Sequence, residues 1–196
     1  MSIVTLSDEE LMINLQTRHD RASFDQLVER FKKPLFSYLY RYLNRADIAE
    51  DILQEVFIRL WTKNAQWSEK KGSVKNWLFQ IGINLCRDYW RKMKHEVSLS
   101  VPVETIISHD DQAALSDDVL AKKQMAKKVI ETLKNLDAEQ REILILSYYH
   151  EFSQKEIADV LQITIKAVER RLARIRETLK HILKDQGIKT AQDGGF

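Results

Sequence analysis

Apolar residues recur three and four positions apart along most of this chain, which is the spacing of one face of an α-helix. The longest such stretch, Ala22 to Leu43, has them at Phe24, Leu27, Val28, Phe31, Leu35, Tyr38, Leu39 and Tyr42. Alternating runs of β-branched residues, which indicate strands, are missing, and only 5 glycines and 2 prolines occur among 196 residues. We therefore predict an all-α fold whose helices are joined by short connections.

Two helix starts in the first half of the chain are indicated by local sequence. Ser7 with Glu10, and Asp47 with Glu50, have the spacing of a capping box, in which side chains satisfy backbone N–H groups at a helix start. Pro34 is expected to start or kink a segment, because proline has no N–H group for a helical hydrogen bond.

The helical period breaks at two places, and these breaks divide the chain. Lys63 to Lys71 predicts a loop, followed by a long helix from Ser73 to Lys94. From Glu96 to Asp118 the period is lost again, which predicts a flexible linker. We therefore predict two small helical domains, residues 1–95 and 119–185, joined by the linker 96–118 and followed by a frayed tail at 186–196.

Several classes of site and protein are disfavoured by composition. Cys86 is the single cysteine, so no internal disulfide and no zinc site is expected. No leader-like start and no apolar run of membrane-spanning length occur, so we expect a cytoplasmic protein without a membrane segment of its own. Four linker carboxylates could suggest a metal or acid–base site, but no His or Cys cluster supports one, and a solvated linker is favoured; they are Asp110, Asp111, Asp117 and Asp118. No catalytic residue, metal or cofactor is predicted.

The net charge of +2 conceals blocks of opposite charge. Lys70 to His95 has seven Lys or Arg against one Asp, and Ile165 to Lys184 has seven basic residues against two Glu. Between them, Glu96 to Leu120 has six acids and neither Lys nor Arg. Basic helices commonly contact phosphate backbones, although a charged run is also the ordinary solvated face of a helix.

A helix-turn-helix is predicted between Ser153 and Arg176. Ser153 with Glu156 forms a capping box, and the turn from Gln162 to Thr164 ends on a residue suited to cap the next helix. The first helix would direct Ile157, Ala158, Val160 and Leu161 inward. The second would have an apolar face of Ile165, Val168, Leu172, Ile175 and Leu179. Its opposite face would carry Lys166, Arg170, Ala173, Arg174 and Glu177.

Such a helix has the pattern of one that enters the major groove of DNA. Arginine pairs bidentately with guanine, so Arg170 and Arg174 are the candidates for reading bases. Arg171 and Arg176 lie to the sides and are expected to contact phosphates. The alternative is a surface helix with solvated arginines.

Five segments together resemble a known family. Trp77 to Arg91 resembles the W-L-x-x-I-A-x-N-x-x-x-D-x-x-R signature of the extracytoplasmic-function group of sigma-70-like RNA polymerase sigma factors, and Asp51 to Trp61 resembles their D-x-x-Q-E-x-F-x-x-x-W helix. In the second domain, Leu136 to Arg141 resembles L-P-x-x-x-R, Glu156 to Ala158 resembles E-I-A, and Val168 to Arg176 resembles V-x-S-R-x-x-R-A-R. The order of the segments also agrees.

This resemblance implies a promoter-specificity factor that binds core RNA polymerase and promoter DNA and is not an enzyme. The first domain would be sigma region 2 and the second sigma region 4. Region 4 would read the upstream (−35) element with Lys166, Arg170, Arg171, Arg174 and Arg176. Docking on the clamp helices of the largest polymerase subunit would use Asp51, Gln54, Glu55 and Arg59. An anti-sigma partner, often membrane-anchored in this family, is also implied.

Region 2 would read and help to open the downstream (−10) element. The loop Lys63 to Lys75 resembles the family's loop that captures an unpaired promoter base, by aromatic stacking and lysine contacts. Its candidate residues are Trp67, Ser68, Lys70, Lys71 and Ser73. The following helix would contribute Asn84, Asp88 and Arg91, in one stripe with Trp77. An ordinary exposed loop, a solvated stripe and a structural Trp77 are the alternatives.

Four positions depart from the family pattern and put the recognised promoter sequence in doubt. Asp137 replaces a proline, Gln162 a turn glycine, Gly82 an alanine and Arg170 a frequent serine. Two other classes of function are the alternatives: a stand-alone helix-turn-helix regulator and an enzyme that acts on nucleic acid. Only the former has sequence support.

Overall fold

The computed structural model describes residues 6–96 and 136–185, and every regular element within these ranges is helical. The elements are α1 (Asp8–Arg18), α2 (Arg21–Leu43), α3 (Ala46–Lys63), the 3₁₀ turns Asn64–Gln66 and Glu69–Lys71, α4 (Val74–Glu96), α5 (Ala138–Leu144) with the π-helical turn Ile145–Tyr149, α6 (Gln154–Leu161) and α7 (Ile165–Asp185). They form two compact units, and most of α6 belongs to the second. The predicted all-α class is confirmed.

The N-terminal unit is organised around α2, which packs against α1, α3 and α4. Of the apolar face predicted from spacing, Leu27, Phe31, Leu35, Tyr38, Leu39 and Tyr42 are buried, while Phe24 and Val28 are half-buried. The other helices add Leu11, Leu15, Val56, Leu60, Leu78 and Ile83 to the core. Pro34 lies within α2, so the helix does not start there as one of the two expectations had it. The residue that caps α2 is Asp20, whose carboxylate accepts the N–H of Ser23 at 2.9 Å.

The two predicted N-terminal capping boxes have different outcomes. At α1, the Ser7 N–H donates to Glu10 Oε2 at 2.7 Å and the Glu10 N–H donates to Ser7 Oγ at 3.2 Å, so this box is confirmed. The box at Asp47 is wrong. The cap position of α3 is Arg45, two residues earlier, and the Asp47 carboxylate instead accepts a hydrogen bond from Arg45 Nε at 2.9 Å. This hydrogen bond from Arg45 lowers the pKa of Asp47 to about 2.

The C-terminal unit packs α5 against α7 around a separate core. Its buried apolar residues are Leu136, Ile143, Ile145, Leu146, Phe152, Ile157, Ala158, Val160, Leu161, Val168, Leu172 and Ile175. Asp137 starts α5 with a capping box: its carboxylate accepts the Gln140 N–H at 2.7 Å, and its own N–H donates to Gln140 Oε1 at 3.2 Å. An aspartate therefore starts this helix where the family commonly has a proline.

Some predictions concern residues outside the described ranges. These are the tail 186–196, the start of the second domain at 119–135, and the linker 96–118 apart from Glu96, the last residue of α4. The four linker carboxylates, Asp110, Asp111, Asp117 and Asp118, also lie outside them. Within residues 6–96 and 136–185, no helix is long and apolar enough to cross a membrane.

Candidate nucleic-acid interface

The first helix of the predicted helix-turn-helix starts with a complete capping box. Glu156 Oε2 accepts the N–H of Ser153 at 2.8 Å and its hydroxyl at 2.7 Å, while the Glu156 N–H donates to Ser153 Oγ at 3.3 Å. Ile157, Val160 and Leu161 are buried on the inner side of α6. The predicted start and inner face of this helix are both confirmed.

The turn between the helices has a left-handed residue at its first position. Gln162 has φ +56°, a conformation that glycine adopts without steric cost, which accounts for the glycine common at this position in the family. Glutamine is strained in this conformation, and the hydrogen bond from Gln162 Nε2 to the Asp159 carbonyl at 2.6 Å offsets part of the strain. Thr164 then caps α7 as predicted, since its Oγ1 accepts the Ala167 N–H at 3.2 Å.

Helix α7 has an apolar side and a cationic side. Val168, Leu172 and Ile175 are buried, as predicted. Ile165 is an exception: it is the first residue of the helix and is 45 % exposed, so the buried face starts one turn later than predicted. The residues predicted for the opposite side are exposed, and they are Lys166, Arg170, Ala173, Arg174 and Glu177.

The two arginines predicted to contact phosphates have different surroundings. Arg176 is exposed. Arg171 Nη2 lies 2.5 Å from Glu139 Oε2 of α5, and only 26 % of the Arg171 side chain is accessible. Arg171 therefore has an intramolecular partner, and a phosphate contact by this residue requires the pair to open.

In the N-terminal unit, α4 buries one face and presents polar groups on another. Asn84 and Arg91 are exposed, and Asp88 between them is half-buried. Arg91 Nη2 lies 2.8 Å from Asp88 Oδ1, so these two side chains form one ion-paired group. Trp77 is half-buried at the start of the same stripe. These side chains lie on one stripe, with hydrogen-bonding groups directed outward.

The loop before α4 corrects one prediction. Trp67 is only 4 % exposed, and its indole N–H donates to the Gly72 carbonyl at 3.1 Å. Its ring therefore offers no face on which an unpaired base could stack, contrary to the expectation of aromatic stacking. Sequence reasoning failed because the burial of Trp67 depends on contacts made after folding.

The other candidate residues of this loop are arranged around that buried ring. Lys70 and Lys71 are exposed and Ser68 is half-buried. Ser73 caps α4, with its Oγ accepting the Asn76 N–H at 3.1 Å. Gly72 has φ +126°, a conformation that other residues rarely adopt. The loop thus presents two lysines and backbone groups rather than an aromatic platform.

The candidate polymerase-docking residues lie on α3. Asp51 and Gln54 are exposed, and Arg59 Nε lies 2.7 Å from Glu55 Oε1 in a half-exposed ion pair. Sequence reasoning missed Ile58, which is 55 % exposed and lies seven residues after Asp51, hence on the same side of the helix. Ile58 could have been found from the sequence, because it is an apolar residue that does not fit the spacing of the buried residues of α3.

Nothing in the described residues adds a metal centre to these surfaces: no group of three or more His, Cys, Asp or Glu side chains that could hold an ion occurs there. The two cationic surfaces, on α7 and around the loop and α4, are the features suited to nucleic acid. Both present Lys or Arg beside hydrogen-bonding groups, which is the combination that contacts phosphates and bases.

Comparison with known proteins gives matches to both units. Residues 27–96 match the family model for sigma-70 region 2, and residues 126–179 match the model for sigma-70, region 4. The extracytoplasmic-function (ECF) RNA polymerase sigma factor SigW of Bacillus subtilis (strain 168) is 28% identical, over 90% of this chain and 99% of SigW.

Two further relatives agree. The ECF RNA polymerase sigma factor SigM of the same organism is 30% identical, over 81% of this chain and 93% of SigM. The sigma factor RpoE of Bartonella quintana, solved in complex with the anti-sigma factor NepR, has a TM-score of 0.64 and 27% identity, over 82% of this chain and 96% of RpoE. On the strength of these matches, which follow the order of the two helical units, the chain belongs to the extracytoplasmic-function group of RNA polymerase sigma factors.

Proposed function

We propose that this sigma factor binds core RNA polymerase and directs it to promoters through two DNA-reading units. The observation that carries the proposal is the helix-turn-helix, whose α7 has a buried apolar side and an exposed side with Lys166, Arg170 and Arg174. A regulator would need only this unit. The second cationic surface, in a unit of the sigma region 2 family, supports a factor that reads two promoter elements.

The C-terminal unit would read the upstream element as duplex DNA. Arg170 and Arg174 are one turn apart on the exposed side of α7, so both can approach base edges in one stretch of major groove. Lys166 and Arg176 would contact phosphates on either side. Arg171 would do so only after release from Glu139.

The N-terminal unit would read and hold open the downstream element. Asn84, Asp88 and Arg91 would contact the DNA from the exposed stripe of α4. The loop would hold an unpaired base of the non-template strand through Ser68, Lys70, Lys71, Ser73 and its backbone groups. Trp67 would contribute indirectly, by fixing the shape of the loop from the core.

Docking on the polymerase would use the exposed side of α3. We assign it to Asp51, Gln54 and the Glu55–Arg59 pair, with the clamp helices of the largest subunit as the partner. The polar groups suit a surface that is solvated before assembly, because none is buried without a partner when the factor is free.

The same proposal covers the organisation of the chain. Residues 1–95 would form the polymerase-docking and downstream-element domain, 96–118 a linker, 119–185 the upstream-element domain and 186–196 a tail. The factor would act in the cytoplasm, on polymerase and DNA, and no covalent step is assigned to it. RpoE of Bartonella quintana was solved with an anti-sigma factor, which supports an anti-sigma partner for this chain as well.

Run-off transcription from a randomised promoter library tests the proposal. We expect transcripts that require both this chain and core RNA polymerase, and selected templates that share two separated conserved elements. Core enzyme alone, and core enzyme with an Asp51→Lys/Gln54→Ala variant, serve as controls, and both should give background levels.

The alternative, a stand-alone helix-turn-helix regulator, makes the opposite prediction. It requires tight, sequence-specific binding of the purified chain to duplex DNA without polymerase, with a single conserved element. A gel-shift experiment on the same library distinguishes the two. Specific operator binding unaided by core enzyme would overturn the proposal.

A further inference from the structure

We propose that Gln16 is a positioning residue for downstream-element recognition: from α1, it holds the loop of residues 64–73 in the shape that receives an unpaired promoter base. The inference rests on the proposed function, because Gln16 acts only through this loop. Gln16 lies outside both stretches that match the family models. Its role follows from contacts that only the folded chain reveals.

The Gln16 side chain bridges two backbone carbonyls of the loop. Its Nε2 donates to the Asn64 carbonyl at 2.7 Å and to the Trp67 carbonyl at 3.0 Å. These carbonyls bracket the first 3₁₀ turn, and the Trp67 N–H also donates to the Asn64 carbonyl at 2.9 Å. Both acceptors are carbonyl oxygens, so only the NH₂ end of the amide satisfies them, which fixes its orientation by chemistry.

The loop is also tied to the core at the same point. Asn64 is buried, and its Nδ2 donates to the Trp61 carbonyl at 2.8 Å. The buried Trp67 ring then reaches across to Gly72 through its indole N–H. The segment from Ser68 to Lys71 is thus held at both ends, and Gln16 fixes the end at Trp67 from a different helix.

Helix α1 is itself a firm support. Leu11, Met12 and Leu15 are fully buried. Arg30 of α2 lies 2.6 Å from the Asp8 carboxylate. The Glu9 carboxylate accepts the Val74 N–H at 3.3 Å, so α1 contacts the first residue of α4 as well as the loop. The loop cannot shift at Trp67 without losing contacts to this helix.

The physical consequence is preorganisation. A loop that is ordered before DNA arrives does not lose conformational freedom when it captures a base, so capture is more favourable. Removing the Gln16 donors takes one hydrogen bond from each of two loop carbonyls, leaves the Asn64 carbonyl with the Trp67 N–H, and frees the Trp67 end from α1. The step that suffers is the one in which a base leaves the duplex, and upstream-element recognition is unaffected.

Gln16→Met and Gln16→Glu test this role. Met keeps the length of the side chain and removes both donors, whereas Glu places acceptor oxygens against two carbonyl acceptors. Gln26 is an exposed glutamine on α2, so Gln26→Met and Gln26→Glu are matched controls for side-chain chemistry and charge. Each full-length variant is assembled with core RNA polymerase.

Open-complex formation is followed by permanganate reactivity of unpaired thymines on a promoter selected by run-off transcription. It is compared with templates in which each non-template nucleotide of the downstream element is in turn abasic. On the intact promoter, Gln16→Met should slow opening about tenfold, the loss expected for two hydrogen bonds, and Gln16→Glu should slow it more. The Gln26 variants should stay within about twofold of wild type.

The decisive comparison is the abasic template on which wild type loses most, because the captured base is missing there. On it, wild type and Gln16→Met should differ in opening rate by less than about twofold, because the shape of the loop no longer matters when the base that it captures is missing. A merely structural defect would instead slow opening equally on every template. That result, or wild-type opening by Gln16→Met on the intact promoter, would overturn the inference.

The failure of the proposed function is distinguishable from the failure of this inference. If wild type is indifferent to every abasic site, the loop captures no base, and both fall together. If one site matters but the Gln16 variants open promoters normally, only the role of Gln16 falls. Should Gln16→Glu not fold, as judged by circular dichroism, the uncharged Gln16→Met variant carries the test.

Discussion

At the scale of single residues, the arginines of α7 show that the same charge has different uses on one helix. Arg170 and Arg174 are exposed opposite the buried face, whereas Arg171 is paired with Glu139 of α5. A partly exposed surface pair of this kind contributes about 0–1 kcal/mol, so the contact between Arg171 and Glu139 can open at small cost. The free side chains are the better candidates for contact with DNA.

Arg170→Ala or Arg174→Ala should each cost about 1–3 kcal/mol at particular base pairs and relax specificity there, because a bidentate base contact is lost. Arg176→Ala should weaken all promoters similarly and reduce the salt dependence of binding by about one counterion. Holoenzyme binding to promoters with single base changes, at several salt concentrations, measures both effects.

Lys180→Ala, an exposed cation further along α7, is the control for simple loss of charge. It should alter specificity at no position. Unchanged promoter preference in both Arg170→Ala and Arg174→Ala would show that a different side of α7 faces the groove.

The stability of the folded chain should depend on the ionisation of Asp47 at low pH. The hydrogen bond from Arg45 holds the pKa of Asp47 at about 2, below its ordinary value of 3.8. A carboxyl whose pKa is lowered by folding stabilises the folded state above its unfolded pKa, and this contribution is lost as pH falls through the folded pKa. The effect of Asp47 is therefore complete above about pH 4 and disappears towards pH 2.

NMR titration of the Asp47 carboxyl measures this directly. Its midpoint should rise towards the ordinary aspartate value in Arg45→Ala and remain low in Arg21→Ala, which removes an exposed arginine that lies 3.9 Å from Asp25. A midpoint near 3.8 in the wild-type protein would refute the assigned pairing.

At the scale of elements, the two glycines of the N-terminal unit have opposite constraints. Gly82 lies in α4, where a Cβ atom would meet Leu39 at 3.5 Å and Val56 at 3.7 Å, which are ordinary contacts. Gly72 has open space around it but a φ of +126°. Conformation, rather than room, decides which of them tolerates a side chain.

Gly82→Ala should stabilise the N-terminal unit by about 0.5–1 kcal/mol, because alanine is the better helix former and nothing obstructs its methyl group. Gly72→Ala should destabilise it by about 1 kcal/mol or more, because alanine is strained at positive φ. Urea unfolding monitored by tryptophan fluorescence compares the pair. A loss of stability in Gly82→Ala would mean that α4 packs more tightly against α2 and α3 than these distances indicate.

Sequence predicted the elements well where the determinants are local. The boxes at Ser7 and Ser153 and the cap at Thr164 involve residues three apart, so spacing alone reveals them. The box at Asp47 failed because the neighbouring Arg45 competes for the same carboxylate. Ile165 failed because periodicity assigns a face without showing where packing starts.

The parts of the site that sequence could not predict depend on tertiary contacts. Trp67 is an aromatic residue in a loop with lysines, as expected of a platform for base stacking, but folding buries its ring. Gln16 lies 48 residues from Asn64, whose carbonyl it binds, and no motif connects them. Spacing rules describe one helix at a time, so a bond between a helix and a distant loop is beyond them.

At the scale of the whole molecule, one chain carries two DNA-reading surfaces that would act on the same promoter. When both are held by one polymerase, the two elements must face the protein together. Inserting about five base pairs between them rotates one element to the far side of the duplex, since a turn takes about ten. Such an insertion should abolish run-off transcription.

The control for this prediction is a substitution of spacer sequence without change of length, which should leave transcription largely intact. Binding of the upstream element alone should also be unaffected by the insertion, as measured by footprinting of the holoenzyme. Full transcription at every spacer length would show that the two units do not act on one promoter at the same time.

The bond between Gln16 and the loop affects how regulons are compared between related bacteria. If the shape of the loop is set from α1, two factors with identical DNA-contacting residues can open different promoters because of a single substitution in a helix that never touches DNA. Inferring target genes by matching contact residues alone would then group such factors wrongly. A fragment starting at residue 27 would keep the entire region 2 match but lack this determinant.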